Sequence, residues 1–363
     1  MPQPSVFNFS AGPAMLPPAV IEQVQQELPN WNGLGISVME ISHRDPRFMQ
    51  LGLQIEQDFR ELLQISNDYS VLFLPAGGRG QFSMVPMNLQ LPGQLPAYCI
   101  TGVWGKLACE EAKTFSAVNV VCDTTAEHCI DIPDQSCWGD FSEASYLHYV
   151  DNETVNGIEF VVPPDSASVA LVSDMSSNIL SRAVDINRFG LIYACAQKNL
   201  GPAGVTVVIV RNDLLQRAPL AHTPCMYRYA NHVKEHSLYN TPPVFPWYVC
   251  GLVMQWVKQE GGVEEMDRRA RQRSQALYQY IDGHEFYANP VNPSLRSRMN
   301  VVFTLANPHL ESDFVAEAEQ AGLIGLKGHR FVGGLRASLY NAMPMSGVTT
   351  LIDFMDHFAA RHG

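Results

Sequence analysis

The sequence predicts an α/β fold with a mostly parallel central sheet and a smaller α/β domain at its carboxyl end. Two observations carry this. Between Tyr98 and Tyr149, short apolar runs alternate with polar or helical stretches, the βαβ pattern of a mostly parallel sheet. After them a long helical region, residues 248–281, is broken at Gly261-Gly262 and leads into a second, shorter series of strand, helix, strand and helix. The expected division is a large domain at residues 16–261 and a small one at 262–363, with residues 1–15 lying near the functional site. A chain of 363 residues is long enough for each domain to bury a core.

Composition narrows the partners. Hydrophobic residues make up 46% of the chain and charged ones 17%, an ordinary globular balance. The net charge of −12 disfavours nucleic acid and anionic membranes, so an anionic substrate must be drawn by a local basic cluster. No basic-then-apolar leader is visible at the start, and no apolar run approaches the ~20 residues that span a bilayer. A cytoplasmic location is expected. The eight cysteines include no CxxC pair and read as reduced thiols, not as a disulfide framework or a zinc site.

Taken in order, the opening Phe7 to Pro17 reads as a turn-rich entry to an amphipathic helix at 20–28. Ser42-His43-Arg44 reads as a loop. Residues 71–74 are a strand, and Pro75-Ala76-Gly77-Gly78-Arg79-Gly80-Gln81 is expected to be a glycine-rich turn feeding a helix that begins near Phe82. Such a turn offers free N–H groups and a positive dipole end to a phosphate. It is neither a Walker loop nor a dinucleotide fingerprint, since GK[ST] and GxGxxG are both missing. Strands are expected at 98–100, 118–121 and 146–149.

The most informative stretch is 168–210. An apolar strand, 169–173, ends in Asp174. A second, 191–196, ends in Gln197-Lys198-Asn199, and Gly201-Pro202-Ala203-Gly204 turns the chain into a third, 205–210. Ligands of open α/β sheets sit at the carboxyl ends of strands, where both Asp174 and Lys198 fall. A lysine there can form a Schiff base with an aldehyde, and an aspartate can hold a pyridinium nitrogen protonated; pyridoxal phosphate needs both. Taken singly, Lys198 reads as a solvated lysine and Asp174 as a helix cap.

Further along, His232 and His236 would share one face of a helix, but no third ligand and no HExxH motif accompany them, so no metal is expected. Asn240-Thr241 stand in a turn bounded by Pro242-Pro243. The small domain is expected to run as a strand at 301–305, a helix at 312–321, a basic loop and strand, and a helix to about 360. In the basic part, Lys327-Gly328-His329-Arg330 precedes Arg336 in an apolar strand, a combination suited to a dianion.

The runs Asp174-Met175-Ser176-Ser177-Asn178-Ile179-Leu180-Ser181-Arg182 and Ala196-Gln197-Lys198-Asn199-Leu200-Gly201-Pro202-Ala203-Gly204 closely resemble the phosphoserine aminotransferase family of fold-type I pyridoxal-phosphate enzymes. Phe9-Ser10-Ala11-Gly12-Pro13-Ala14 and Ile41-Ser42-His43-Arg44 match it too, and the likeness runs from Phe7 to Gly363. It implies a fold-type I transferase that passes the amino group of L-glutamate to a phosphorylated 2-oxo acid, 3-phosphohydroxypyruvate, and in many bacterial members to a four-carbon phosphooxy acid of pyridoxine synthesis. By that resemblance Lys198 and Asp174 are catalytic. Gly78, Arg79, Trp104, Thr154, Gln197, Asn240 and Thr241 bind the cofactor with them, Trp104 on the ring face and Thr154 at the 3-hydroxyl. Ser10, His43, Arg44, His329, Arg330 and Arg336 bind substrate, Arg336 at the α-carboxylate. The Asn240-Thr241 turn is implied to reach the other subunit's cofactor phosphate, which makes a homodimer with shared sites.

Two departures stand out: Ala76 replaces a common glycine, and Asp45 sets an anion beside Arg44, which bears on substrate affinity. An alanine-glyoxylate-type aminotransferase or a cysteine desulfurase shares Lys198 and Asp174; the basic cluster and the lack of a reactive cysteine loop favour the first reading. A non-catalytic binding protein would not need Lys198.

Overall fold

Strands covered on both faces read as continuous apolar runs, and the seven that build the central sheet are of this kind. In the computed structural model, which describes residues 6–363, their spatial order is Tyr69–Leu74, Thr206–Arg211, Leu191–Cys195, Leu171–Asp174, Leu147–Val150, Ala97–Ile100 and Asn119–Asp123. Thr206–Arg211 is antiparallel to both its neighbours, and every other neighbouring pair is parallel. One face packs Phe73, Tyr149, Leu171 and Ile192 under the helices Pro46–Leu63 and Val244–Gln259. The other packs Leu74, Ile100, Val172 and Tyr193 under Gly77–Leu89 and Val103–Ala112.

A second core gathers around the antiparallel strands Tyr287–Ala288, Asn300–Leu305 and Leu335–Ser338, beneath Glu311–Gln320, Met345–His362 and the latter part of Gly262–Asp282. The entry segment belongs to both cores. Phe7–Asn8 pairs with Leu323–Ile324, Phe9 O accepts from Ser338 N, and Ala14 N donates to Gln197 O at 2.9 Å, so this segment lies over the lysine loop. Of the 1–15 segment expected near the site, residues 1–5 lie outside the described residues.

Three boundaries differ from expectation. The helix expected from Phe82 begins at Gly77, because Ala76 takes a left-handed conformation (φ 91°) that lets the glycines form the first turn instead of a loop. Gly80 accommodates this, since a Cβ there would lie 2.9 Å from the Ala76 Cβ. The long helical region starts at Val244, immediately after the two prolines. His236 falls beyond the short helix Tyr229–Lys234, with φ 47°, and does not continue the face that carries His232.

Between the cores, hydrogen bonds and ion pairs set the register. Asn341 N donates to Asn199 Oδ1 at 3.0 Å, and Asn341 Nδ2 to Leu180 O at 2.9 Å. Arg298 pairs with Glu159 at 2.6 Å and also with Asp267; on the large-domain side Arg182 pairs with the buried Asp151 at 2.6 Å and lies near the same Glu159. Glu159 closes a small hairpin, Asn152–Glu153 with Ile158–Glu159, whose turn is pressed against the small-domain strand. Gly157 makes that approach possible: its φ is +72°, and a Cβ there would lie 2.9 Å from Asn300 O and 2.8 Å from Val302 Cγ2. Gly157→Ala is therefore expected to destabilise the protein by about 2 kcal/mol or more, from a left-handed backbone and a backbone clash together. Denaturant unfolding of the two proteins measures this directly; equal midpoints would contradict it.

Candidate active site

Asp174 is the last residue of Leu171–Asp174, in register with Val150 on one side and Tyr193 on the other. Its carboxylate is buried and accepts from Ser176 N at 2.8 Å. Burial raises its pKa, and the nearby Lys198 ammonium works against that rise. Lys198 stands in the turn after Leu191–Cys195, closed by Leu200 N and Gly201 N donating to Ala196 O. Its Nζ donates to Thr154 Oγ1 at 2.7 Å and lies 6.0 Å from the centre of the Trp104 ring. Arg79 approaches the same ring at 6.0 Å.

Between these groups lies a cavity of about 300 Å³, lined by Asp174, Lys198, Gln197, Thr154, Trp104, Gly78 and Arg79. Seven of the nine cofactor residues expected from sequence thus meet in one place. Asn152, Ser176, Ser177 and Cys195 line it too and were not singled out from sequence, although Ser176-Ser177 directly follow Asp174 and Asn152 precedes Thr154 by two residues. The helix Gly77–Leu89 opens onto this cavity with no side-chain cap, leaving its first N–H groups for an anion. The Trp104 indole N–H and Asn152 Oδ1 are buried without a partner among the described residues. An amine, a buried carboxylate, a flat indole and an uncapped helix start are the donor set that pyridoxal phosphate requires, so the residues present fit it.

On the small-domain side Arg336 is buried in Leu335–Ser338. Its Nη1 reaches Thr154 O at 3.5 Å, and its Nε has no partner among the described residues. Burial lowers its pKa. Thr154 therefore joins Lys198, through its hydroxyl, to Arg336, through its carbonyl. His329 is half-buried and lines a small cavity of about 60 Å³ with Arg336. Its pKa is lowered by burial and by Arg336 and Arg330.

The remaining expected residues do not line the Lys198 cavity within one chain. Ser10 packs against Gly325, Arg330 lies 5.0 Å over the Phe331 ring, Arg44, Asn240 and Thr241 are exposed, and His43 is half-buried. Asp45 does not sit free beside Arg44. It caps the helix Pro46–Leu63, accepting from Arg47 N, and pairs with the Arg47 side chain at 2.6 Å, which holds its carboxyl down to about 2.

With this geometry in view, the model of the aminotransferase class-V family matches residues 6–351. The chain belongs to this family, among the phosphoserine aminotransferases. The phosphoserine aminotransferase of Coxiella burnetii is 50% identical over 358 residues, 99% of each chain. The solved phosphoserine aminotransferase of Bacillus circulans subsp. alkalophilus superposes with a TM-score of 0.96 at 44% identity, covering 99% of both chains. The PLP-bound phosphoserine aminotransferase of Trichomonas vaginalis gives 0.93 at 37% identity, over 97% of this chain and 100% of the other.

Behind Asp174 this aminotransferase buries a second polar layer. Tyr193 OH lies 2.9 Å from His148 Nε2, and the His148 ring packs on Tyr98 at 4.9 Å. Burial pushes the His148 pKa down to about 3, from an ordinary 6.5. A histidine depressed in the folded state stays neutral there while the unfolded chain takes up its proton. It therefore costs stability progressively as pH falls from 6.5 towards 3, by up to about 1.4 kcal/mol per pH unit, and costs nothing above 6.5. His148→Gln should flatten the acid limb of the stability–pH curve over that window. An unchanged slope between pH 6 and 4 would show that His148 does not titrate this way.

Proposed function

We propose that this pyridoxal-phosphate-dependent aminotransferase transfers the amino group of L-glutamate to 3-phosphohydroxypyruvate, giving O-phospho-L-serine and 2-oxoglutarate, and that it also aminates 3-hydroxy-2-oxo-4-phosphooxybutanoate. The observation that carries this is the buried Arg336 guanidinium, whose Nε has no partner among the described residues, one residue's breadth from the Lys198 amine across Thr154. A buried cation without a counter-ion is costly, and a bound carboxylate relieves it. The relatives named phosphoserine aminotransferase support the choice of substrate.

When bound, the cofactor supplies an aldehyde carbon that carries the amino group and a pyridinium ring that withdraws electrons from it. Lys198 Nζ would hold the cofactor through that aldehyde carbon and, once released by the substrate amine, would be the base that takes the proton from the substrate Cα. Asp174 would keep the ring nitrogen protonated. Thr154 would hold the ring hydroxyl, Trp104 would cover the ring face, and Gln197 would line the site beside the lysine. Gly78 and Arg79 offer the N–H groups of the uncapped helix to the phosphate. Arg336 orients the α-carboxylate across the boundary between the large domain, residues 16–261, and the small one, 262–363. Ser10, His43, Arg44, His329 and Arg330 serve the distal phosphate or γ-carboxylate. The location is the cytoplasm. The chain works as a homodimer, in which Asn240 and Thr241 complete the partner subunit's phosphate site; their exposure away from their own cavity supports this.

Substrate choice is tested by comparing kcat/KM for 3-phosphohydroxypyruvate and hydroxypyruvate. One lost charge-assisted contact is worth ~1.5–3 kcal/mol, so the phosphorylated acid is expected to be preferred by about tenfold or more. Equal values would refute the assignment.

Site sharing is tested by subunit exchange. Lys198→Ala and Thr241→Glu homodimers are each expected to be inactive, the second because a carboxylate would face the phosphate. A hybrid with shared sites gathers both lesions in one site and leaves the other whole, so activity returns in part. No recovery, with exchange confirmed by native mass spectrometry, would mean that the turn serves its own subunit.

A further inference from the structure

The turn that carries Thr154 also carries Glu153, which is buried and takes no part in the chemistry above. Its two carboxylate oxygens accept from Trp104 N at 3.0 Å and from Gly105 N at 2.7 Å. Two residues past Thr154, Asn156 Oδ1 accepts from Val103 N at 3.1 Å. A helix leaves its first four N–H groups without internal partners. In Val103–Ala112, three of them are therefore taken by one turn that follows a different strand. The fit is close: a Cβ on Gly102 would lie 2.4 Å from Glu153 Cδ, so the residue before the helix has no room for a capping side chain of its own.

Trp104 is the second residue of that helix, and a tilt of the first turn moves its ring. Its indole N–H makes no hydrogen bond among the described residues, so only packing against the sheet-face core and the set of that first turn orient it. Glu153 is an expensive way to cap a helix. Burial, with Asp174 adding to it, pushes its carboxyl up to about 7 even though both N–H groups favour the ionised form. Its carboxylate also fills the second helix start near the cavity, which leaves the uncapped start at Gly77 as the place for a phosphate.

We infer that Glu153, together with Asn156, is a positioning residue that sets the plane of Trp104 over the cofactor ring, fastening the Trp104 helix to the turn whose Thr154 receives Lys198. This rests on the reading of Trp104 as the residue that covers the ring. Glu153→Gln keeps the shape but turns one acceptor into an N–H facing a peptide N–H.

The test is a double-mutant cycle on the holoenzyme: wild type, Glu153→Gln, Trp104→Phe and the double variant. The readouts are the visible circular dichroism of the bound cofactor and the dissociation constant of pyridoxal phosphate. Each single variant is expected to weaken binding about tenfold and to diminish the dichroic band, and the double variant to be no worse than Trp104→Phe alone. Additive losses in the double variant would overturn the inference, because Glu153 would then act independently of Trp104; so would an unaltered band and affinity in Glu153→Gln. If Trp104→Phe changes neither readout, Trp104 does not cover the ring, and both the site reading and this inference fail. Should Glu153→Gln not fold, Asn156→Ala takes its place in the same cycle with the same outcomes.

Discussion

An amine and a carboxylate have to share one cavity without neutralising each other, and the rest of the molecule is arranged around that requirement. Asp174 is fixed by the sheet register and by Ser176 N, and the Lys198 amine is held by the hydroxyl of Thr154. The space left between them suits a planar ring that bonds to both. Placing these charges at the ends of adjacent parallel strands gives each a rigid backbone.

The hairpin of Asn152–Glu153 with Ile158–Glu159 extends this arrangement into the small domain. Within eight residues it contacts the lysine through Thr154, the helix that bears Trp104 through Glu153, and the small-domain arginine Arg298 through Glu159. Asn341, bonded to both Asn199 and Leu180 O, makes a second link close to the lysine. Arg336 and Lys198 are thus kept at a fixed relation, both bonded to Thr154 and flanked by these polar links between the cores.

Much of this was legible in the sequence, for reasons that differ from residue to residue. Asp174 and Lys198 could be found because an apolar strand that ends in a charged residue marks its own carboxyl end, and strand order near a ligand site is a general property of α/β sheets. Glu153 and His148 could not. Their partners, Gly105 and Tyr193, are 48 and 45 residues away, and a buried glutamate beside a turn looks the same in a sequence as an exposed one. The glycine-rich stretch after Leu74 was read as a turn because glycines usually break helices, whereas here Ala76 bends the backbone and the glycines open the helix. Asn240 and Thr241 carry no local mark in the sequence, and only the resemblance gives them a role.

The reversed strand Thr206–Arg211 bears on how such a chain can vary. Parallel neighbours are joined by crossovers whose loops can lengthen without disturbing the strands they connect. The lysine sits instead on a short antiparallel return between Cys195 and Thr206, with both ends locked by cross-strand pairing. Insertions there would shift the pairing register, and with it the faces of two central strands. Sequence drift in length should therefore collect in the crossovers between parallel strands, so that relatives differing widely in size keep the same spacing from Cys195 through Lys198 to the return strand.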